Sequence, residues 1–206
     1  MRINRIPGVK FTSNIYQTSN DPYHEKTYLI DAGCLQEFQN NNLWPKDISG
    51  VFLTHAHYDH IFDLPILIEK YPKLMVYLSI ESYEYLKDSK LNLSRYHESD
   101  IEIELLNYHI LDEGDQIELF GGIFIEVYRT PGHSNDCLTY KVLNNFFTGD
   151  ALIPGVAVVT KLRFGNKEKV QQSLNRLKDI MRPNSVIWPG HLQPKVMSDI
   201  NWSQLV

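Results

Sequence analysis

The sequence predicts an α/β protein folded as a single domain over residues 1–206, and three observations carry that expectation. Short runs of β-branched and aromatic residues alternate with stretches of helical periodicity. No internal repeat, low-complexity run or Pro/Gly/Ser-rich linker divides the chain. Its 206 residues, 43% hydrophobic and 22% charged, are enough to bury one core without disulfide staples. Taken in order, Tyr28-Leu29-Ile30 reads as a strand stopped by Asp31-Ala32-Gly33, and Val51-Phe52-Leu53-Thr54 as a second that runs into a histidine-rich loop. Residues 64–71 place apolar side chains at helical spacing and end at Pro72, and residues 75–78 form the next strand. Residues 116–120 and 123–127 alternate polar and apolar around Gly121-Gly122, which predicts a β-hairpin with one buried face. Residues 138–143 and 146–148, joined by Asn144-Asn145, predict a second hairpin. Residues 167–181 form the strongest helix, with Val170, Leu174, Leu177 and Met181 on one stripe, and residues 185–188 the last strand.

Composition narrows the function. Lys and Arg number 20 against 25 Asp and Glu, a formal charge of -5, so no nucleic-acid partner is expected: such partners are held by neutralising phosphates. Two cysteines, Cys34 and Cys137, make neither a disulfide framework nor a Cys-rich zinc module, and both read as small buried groups. The apolar runs fall far short of the ~20 residues a membrane-spanning helix needs. The first residues carry charge with no apolar run behind them, unlike a secretory signal. The expectation is a cytoplasmic protein acting on a small molecule, with no membrane partner.

The chemistry concentrates in His55-Ala56-His57-Tyr58-Asp59-His60. Surface loops gather polar residues, but three histidines and an aspartate directly after a buried strand read as a metal site, since imidazole suits borderline cations and carboxylate adds a hard oxygen. The strand end can aim His55 and His57 at one point while Asp59 and His60 face a second. One ion rarely takes four ligands from six consecutive residues, so the loop suggests two ions. Three later strand ends each pass through a Gly- or Pro-bearing turn to a ligand-type side chain: Thr130-Pro131-Gly132-His133, Thr148-Gly149-Asp150 and Pro189-Gly190-His191.

These motifs, in this order, resemble the metallo-β-lactamase fold superfamily. Ser13-Asn14-Ile15-Tyr16 and the 28–33 segment look like its opening strands and Asp-x-Gly turn, and residues 54–60 match its hallmark loop. Residues 111–133 resemble its central hairpin and third-histidine loop. The resemblance implies an αβ/βα four-layer sandwich, two mixed β-sheets flanked by helices. It implies that His55, His57 and His133 hold one metal, that Asp59, His60 and His191 hold the other, and that Asp150 bridges them. The bridging aspartate looks more like the glyoxalase II and lactonase branches than true β-lactamases, and Leu91-Asn92-Leu93-Ser94 resembles a short segment of small glyoxalase II-like proteins. Two departures stand against close matches. Glyoxalase II enzymes carry a C-terminal helical region, whereas the stretch after His191 is short, and lactonases of the best-known type have a tyrosine where this chain has Ile153.

The implied reaction is hydrolysis of a thioester, ester or lactone. A water bridging two divalent ions, zinc foremost and iron or manganese next, has its pKa lowered from ~16 toward ~7. The resulting hydroxide would attack the carbonyl, with Asp59 as the catalytic carboxylate that orients it and accepts its proton. Two alternatives use the same fold: a mononuclear iron oxidoreductase like the persulfide dioxygenases, and a phosphodiesterase. Around the site, Asp31 is a candidate to orient a ligating histidine or else a turn residue. Thr54 and Ser134 either bond the loops or cap them, and Tyr58 lines the pocket or packs at the surface. Lys161 and Arg163 are either substrate-binding or solvated charges. His24, His97 and His109 are expected to be ordinary histidines, and Trp44, Trp188 and Trp202 core or rim aromatics.

Overall fold

The apolar runs become strands of two mixed six-stranded sheets. The computed structural model describes residues 1–9, 11–20, 26–36, 44–45, 47–97 and 100–205. These divide into two compact units, Met1–Ile110 and Leu111–Val206, each built on one sheet.

The first unit contains β1 (Arg2–Ile6), β2 (Ile15–Ser19), β3 (Thr27–Ile30), β4 (Gly50–Phe52), β5 (Met75–Leu78) and β6 (Tyr108–Ile110), hydrogen-bonded in that order. β1, β2 and β3 pair antiparallel; β3 to β6 run parallel. All residues of β3 and β4 are buried, as expected of parallel strands covered on both faces. Among the described residues, the segments after β4 and β5 carry the short helices α1 (Tyr58–Ile61), α2 (Leu64–Lys70) and α3 (Ile80–Leu86). A proline opens α2, where the missing N–H costs nothing. The Ser79 hydroxyl caps α3 by accepting from the Ser82 amide at 3.1 Å.

The second unit contains β7 (Gln116–Phe120), β8 (Ile123–Arg129), β9 (Leu138–Val142), β10 (Asn145–Gly149), β11 (Val186–Pro189) and β12 (Lys195–Val196), with α4 (Lys167–Ile180) between β10 and β11. β7 to β10 form an antiparallel meander, and β11 returns parallel to β10 after α4. The Asn166 side chain caps α4 by accepting from the Lys169 amide at 3.0 Å. The predicted stripe is the buried face: Val170, Leu174, Leu177 and Met181 pack in one cluster with Phe146, Leu152, Ile187 and Leu205.

Three expectations need correction. The second hairpin turns at Leu143-Asn144, because Val142 already pairs with Asn145. Leu143 takes the left-handed conformation (φ 56°). Asn145 is drawn into the strand, its Oδ1 accepting from Trp188 Nε1 at 3.0 Å. Cys34 is partly exposed, whereas Cys137 is buried as expected. Within the segment read as a histidine-rich loop, Tyr58, Asp59 and His60 form a helical turn. The strands β1, β6 and β12 and the helix α3 had no reading from sequence. Among the described residues, no helix is long and apolar enough to cross a membrane.

Leu177 is fully buried at the centre of the α4 cluster. Leu177→Ala is expected to cost about 2–5 kcal/mol in urea unfolding, through lost apolar transfer and the cavity left behind. A loss below about 0.5 kcal/mol, the range of surface changes, would remove this cluster from the stability of the fold.

Candidate metal centre

Strand direction decides where the chemistry emerges. In the first unit β3 and β4 are parallel, so Asp31 and the segment from Thr54 leave the same sheet edge. Asp31 sits at φ 62°, a left-handed conformation that aspartate tolerates better than most residues. There its carboxylate meets the neighbouring strand end. Asp31 Oδ1 accepts from the Thr54 amide at 2.7 Å, and Oδ2 accepts from the Thr54 hydroxyl at 2.8 Å. The same Oδ2 accepts from His60 Nδ1, also at 2.8 Å.

This network fixes the tautomers. A carboxylate only accepts, so His60 carries its proton on Nδ1 and Nε2 keeps the lone pair. The Thr54 hydroxyl spends its hydrogen on Asp31 and accepts from His55 Nδ1 at 3.2 Å, leaving His55 with the same tautomer. Ligating histidines have this pattern, with one ring nitrogen bonded to a protein oxygen and the other directed at a cation. The rings cluster: His55 lies 4.6 Å from His57 and 4.0 Å from His60 between centroids. His60 Nε2 stands 3.7 Å from Asp59 Oδ2.

The helical turn that bears Asp59 and His60 is held through its backbone by three segments. The Tyr58 amide donates to Asn92 O at 2.7 Å, Asp59 O accepts from the Ser13 amide at 3.0 Å, and His60 O accepts from the Ala32 amide at 2.8 Å. Asn92 is itself buried, its side chain donating to Ile101 O at 2.8 Å and accepting from the Ser94 amide at 2.9 Å. The Leu91-Asn92-Leu93-Ser94 segment therefore supports the site through its backbone. Asp63, at the far end of the turn, accepts from the Leu35 amide at 2.7 Å; burial pushes its carboxyl above the usual range, against that hydrogen bond.

In the second unit β8, β10 and β11 all run the same way, so His133, Asp150 and His191 leave one edge. The Gly190 amide donates to Gly149 O at 2.9 Å and locks the last two turns side by side. Gly132 has φ 139°, and a Cβ there would lie 2.5 Å from the Val170 nitrogen, so only glycine lets the third-histidine turn abut α4. His133 Nδ1 donates to Val159 O at 3.0 Å, which again leaves Nε2 as the lone-pair nitrogen. Asp150 presents Oδ2 to His133 Nε2 at 3.8 Å and Oδ1 to His191 Nε2 at 3.6 Å. These separations are too long for hydrogen bonds. Two ligands bound to one ion at ~2.1 Å come about this close, roughly 3.4 Å apart in a tetrahedral site. A donor set of neutral imidazoles and carboxylates fits divalent cations such as zinc, iron or manganese.

The first unit thus gathers His55, His57, Asp59 and His60, and the second His133, Asp150 and His191. Asp31 and Thr54 orient the histidine loop. Ser134 contributes its backbone carbonyl, which accepts from the Gly132 amide at 3.0 Å. Tyr58 is buried, stacked on His97 with centroids 4.2 Å apart and set edge-on against Phe62. His109 lies 5.8 Å from the Tyr77 ring, and His24 falls outside the described residues. Lys161 and Arg163 are exposed, the Arg163 guanidinium lying 5.1 Å over the Phe164 ring. Trp188 stacks on Phe147, Trp44 tilts against Tyr71, and Trp202 packs on the α4 cluster. Sequence reasoning missed Asn92 as a backbone support and Val159 as the partner of His133. A backbone carbonyl has no side-chain signature, and only the fold brings Val159 to His133.

Asp31→Asn places an amide nitrogen among donors it cannot satisfy and frees His60 to change tautomer. The expected result is zinc affinity about 10–100-fold weaker in chelator competition, with the unfolding temperature lowered by only a few degrees. Unchanged affinity would strip Asp31 of its orienting role.

The family model described as the metallo-beta-lactamase superfamily matches residues 23–191. The probable metallo-hydrolase YqgX of Bacillus subtilis is 29% identical over 195 residues, spanning 93% of this chain and 90% of that protein. A hydroxyacylglutathione hydrolase of Xylella fastidiosa is 31% identical over 155 residues, covering 74% of this chain but only 50% of the relative, so the chain matches half of that enzyme. The crystal structure of the BLEG-1 B3 metallo-beta-lactamase superposes with a TM-score of 0.84 at 25% identity, covering 96% of this chain and 95% of that one.

Proposed function

Because the chain belongs to the metallo-beta-lactamase superfamily, we propose that it is a dinuclear metallo-hydrolase of the glyoxalase II-like or lactonase-like kind. It cleaves a small thioester, ester or lactone at the carbonyl. His55, His57 and His133 would hold one ion and Asp59, His60 and His191 the second, with Asp150 shared between them. The observation that carries this reading is Asp150, with one carboxylate oxygen turned to each of two imidazoles, 3.8 Å from His133 and 3.6 Å from His191. That is the disposition of a carboxylate shared between two centres. Zinc is the leading ion for this nitrogen and carboxylate set.

Two bound divalent ions supply Lewis acidity and make hydroxide available from water at neutral pH. The chain supplies the rest. Asp31 Oδ2 and Val159 O lie within hydrogen-bond reach of Nδ1 of His60 and His133, which leaves Nε2 as the nitrogen free to face a cation. Asp59 is the least enclosed donor of the histidine loop, with a quarter of its side chain exposed, so it reaches incoming substrate. It orients the attacking water and accepts its proton at a carboxylate oxygen. Hydroxyacylglutathione hydrolase and metallo-hydrolase relatives support carbonyl hydrolysis as the reaction class.

The test is a hydrolysis screen over thioesters, lactones, β-lactams and bis-nitrophenyl phosphate, with metal content measured on the same sample. Two zinc equivalents and carbonyl-ester cleavage are expected. His57→Ala should lose metal and rate together. Asp59→Asn should lower kcat by about 10²–10⁴-fold with a smaller change in KM. One iron with oxygen consumption on a persulfide, or turnover of the phosphodiester alone, would overturn the proposal.

A further inference from the structure

The second unit holds a small pocket lined by His133, Asp150, Ile153, Val156, Val158 and Val159. Ala157 completes the lining, so apart from the two ligand-type residues every lining side chain is aliphatic. This wall is built and not merely adjacent. Ile153 and Val156 form a β-bridge closed by the Val156 amide donating to Ile153 O at 3.1 Å, with Gly155 turning between them at φ 82°. The Val158 amide donates to the carbonyl of buried Leu205 at 3.0 Å. Val159 O receives His133 Nδ1, which ties the wall to a ligand-type histidine through a single carbonyl. The segment rejoins the scaffold where the Asn166 amide donates to Gly132 O at 2.8 Å.

Val156 and Val159 are nonetheless 38% and 48% exposed, and Leu162 beyond them 43%. An anchored run of exposed aliphatic side chains beside polar catalytic-type groups is the pattern of a binding wall. Its side chains offer no hydrogen-bond partner to a hydroxyl and no counter-charge. A 2-hydroxyl buried there would lose its hydration without a partner outside His133 and Asp150. We propose that this pocket takes the acyl chain of the substrate, and that the chain is a short unsubstituted aliphatic one and not a 2-hydroxyacyl group. The inference rests on the hydrolase reading given above and specifies its substrate class.

The zinc-loaded protein would be assayed on N-acetylcysteamine thioesters with acetyl, propanoyl, butanoyl, hexanoyl and 2-hydroxypropanoyl chains. The kcat/KM should rise about fourfold per methylene until the pocket is filled. The 2-hydroxypropanoyl ester should be cleaved more slowly than the propanoyl one. Val156→Asp, at an exposed position that leaves the core intact, should raise KM for the longer chains far more than for acetyl. Independently of turnover, sodium hexanoate should give saturation-transfer NMR signals with the parent protein that weaken in Val156→Asp. An active enzyme with a flat chain-length profile, or one that prefers the 2-hydroxyacyl ester, overturns the pocket assignment and leaves the hydrolase reading standing. A protein inactive on all thioesters, esters and lactones that still binds hexanoate through Val156 overturns the hydrolase reading and keeps the aliphatic pocket. Absence of both activity and hexanoate binding overturns both.

Discussion

A buried carboxylate holds the histidine loop together. Asp31 gathers the Thr54 amide, the Thr54 hydroxyl and His60 Nδ1 at 2.7–2.8 Å, and through Thr54 it reaches His55. Removing these groups from water has a cost that only a complete set of partners offsets. The network engages Nδ1 of both imidazoles, that of His60 directly and that of His55 through Thr54. A histidine free to exchange tautomers would offer a cation its lone pair only part of the time. The left-handed backbone of Asp31 is local strain that turns the side chain across the strand ends.

The second unit reaches the same result by another route. A backbone carbonyl, that of Val159, orients His133, and β8, β10 and β11 share a direction that brings three turns to one edge. The Gly132 turn lies so close to the start of α4 that no side chain fits between them. The helix that closes the core thereby also sets the height of the third histidine. Core packing and site geometry are one constraint here, because α4 buries Val170, Leu174 and Leu177 while abutting that turn.

Polar and apolar surfaces are segregated around the ligand-type residues. Imidazoles and carboxylates occupy the strand ends, and the Ile153 to Val159 segment presents aliphatic side chains beside two of them. In binding sites that combine the two, a few polar groups orient the ligand and the aliphatic wall selects by shape and dehydration. Lys161 and Arg163 stay exposed, so the charge in this region faces solvent.

Much of this was readable from the residues. Period-two alternation marked the hairpin of β7 and β8, the 3.6-residue stripe marked α4, and the spacing of His55, His57, Asp59 and His60 marked the metal loop, because each pattern is local and repeats within a few residues. Asp31 could be read only as a candidate, since a turn aspartate and an orienting aspartate look alike until the partner strand is placed. At the Leu143-Asn144 hairpin, Asn145 pairs with Val142 and also meets Val186 and Trp188 of β11, some forty residues away, contacts that local pattern does not display. The supports given by Asn92 and Val159 were invisible because backbone carbonyls belong to every residue. By itself the sequence marked the ligand-type side chains and the faces that are buried, since both follow from side-chain type and local period. The tertiary structure alone decided which nitrogen of each histidine keeps its lone pair and which groups hold it there, since those depend on hydrogen bonds between segments far apart along the chain.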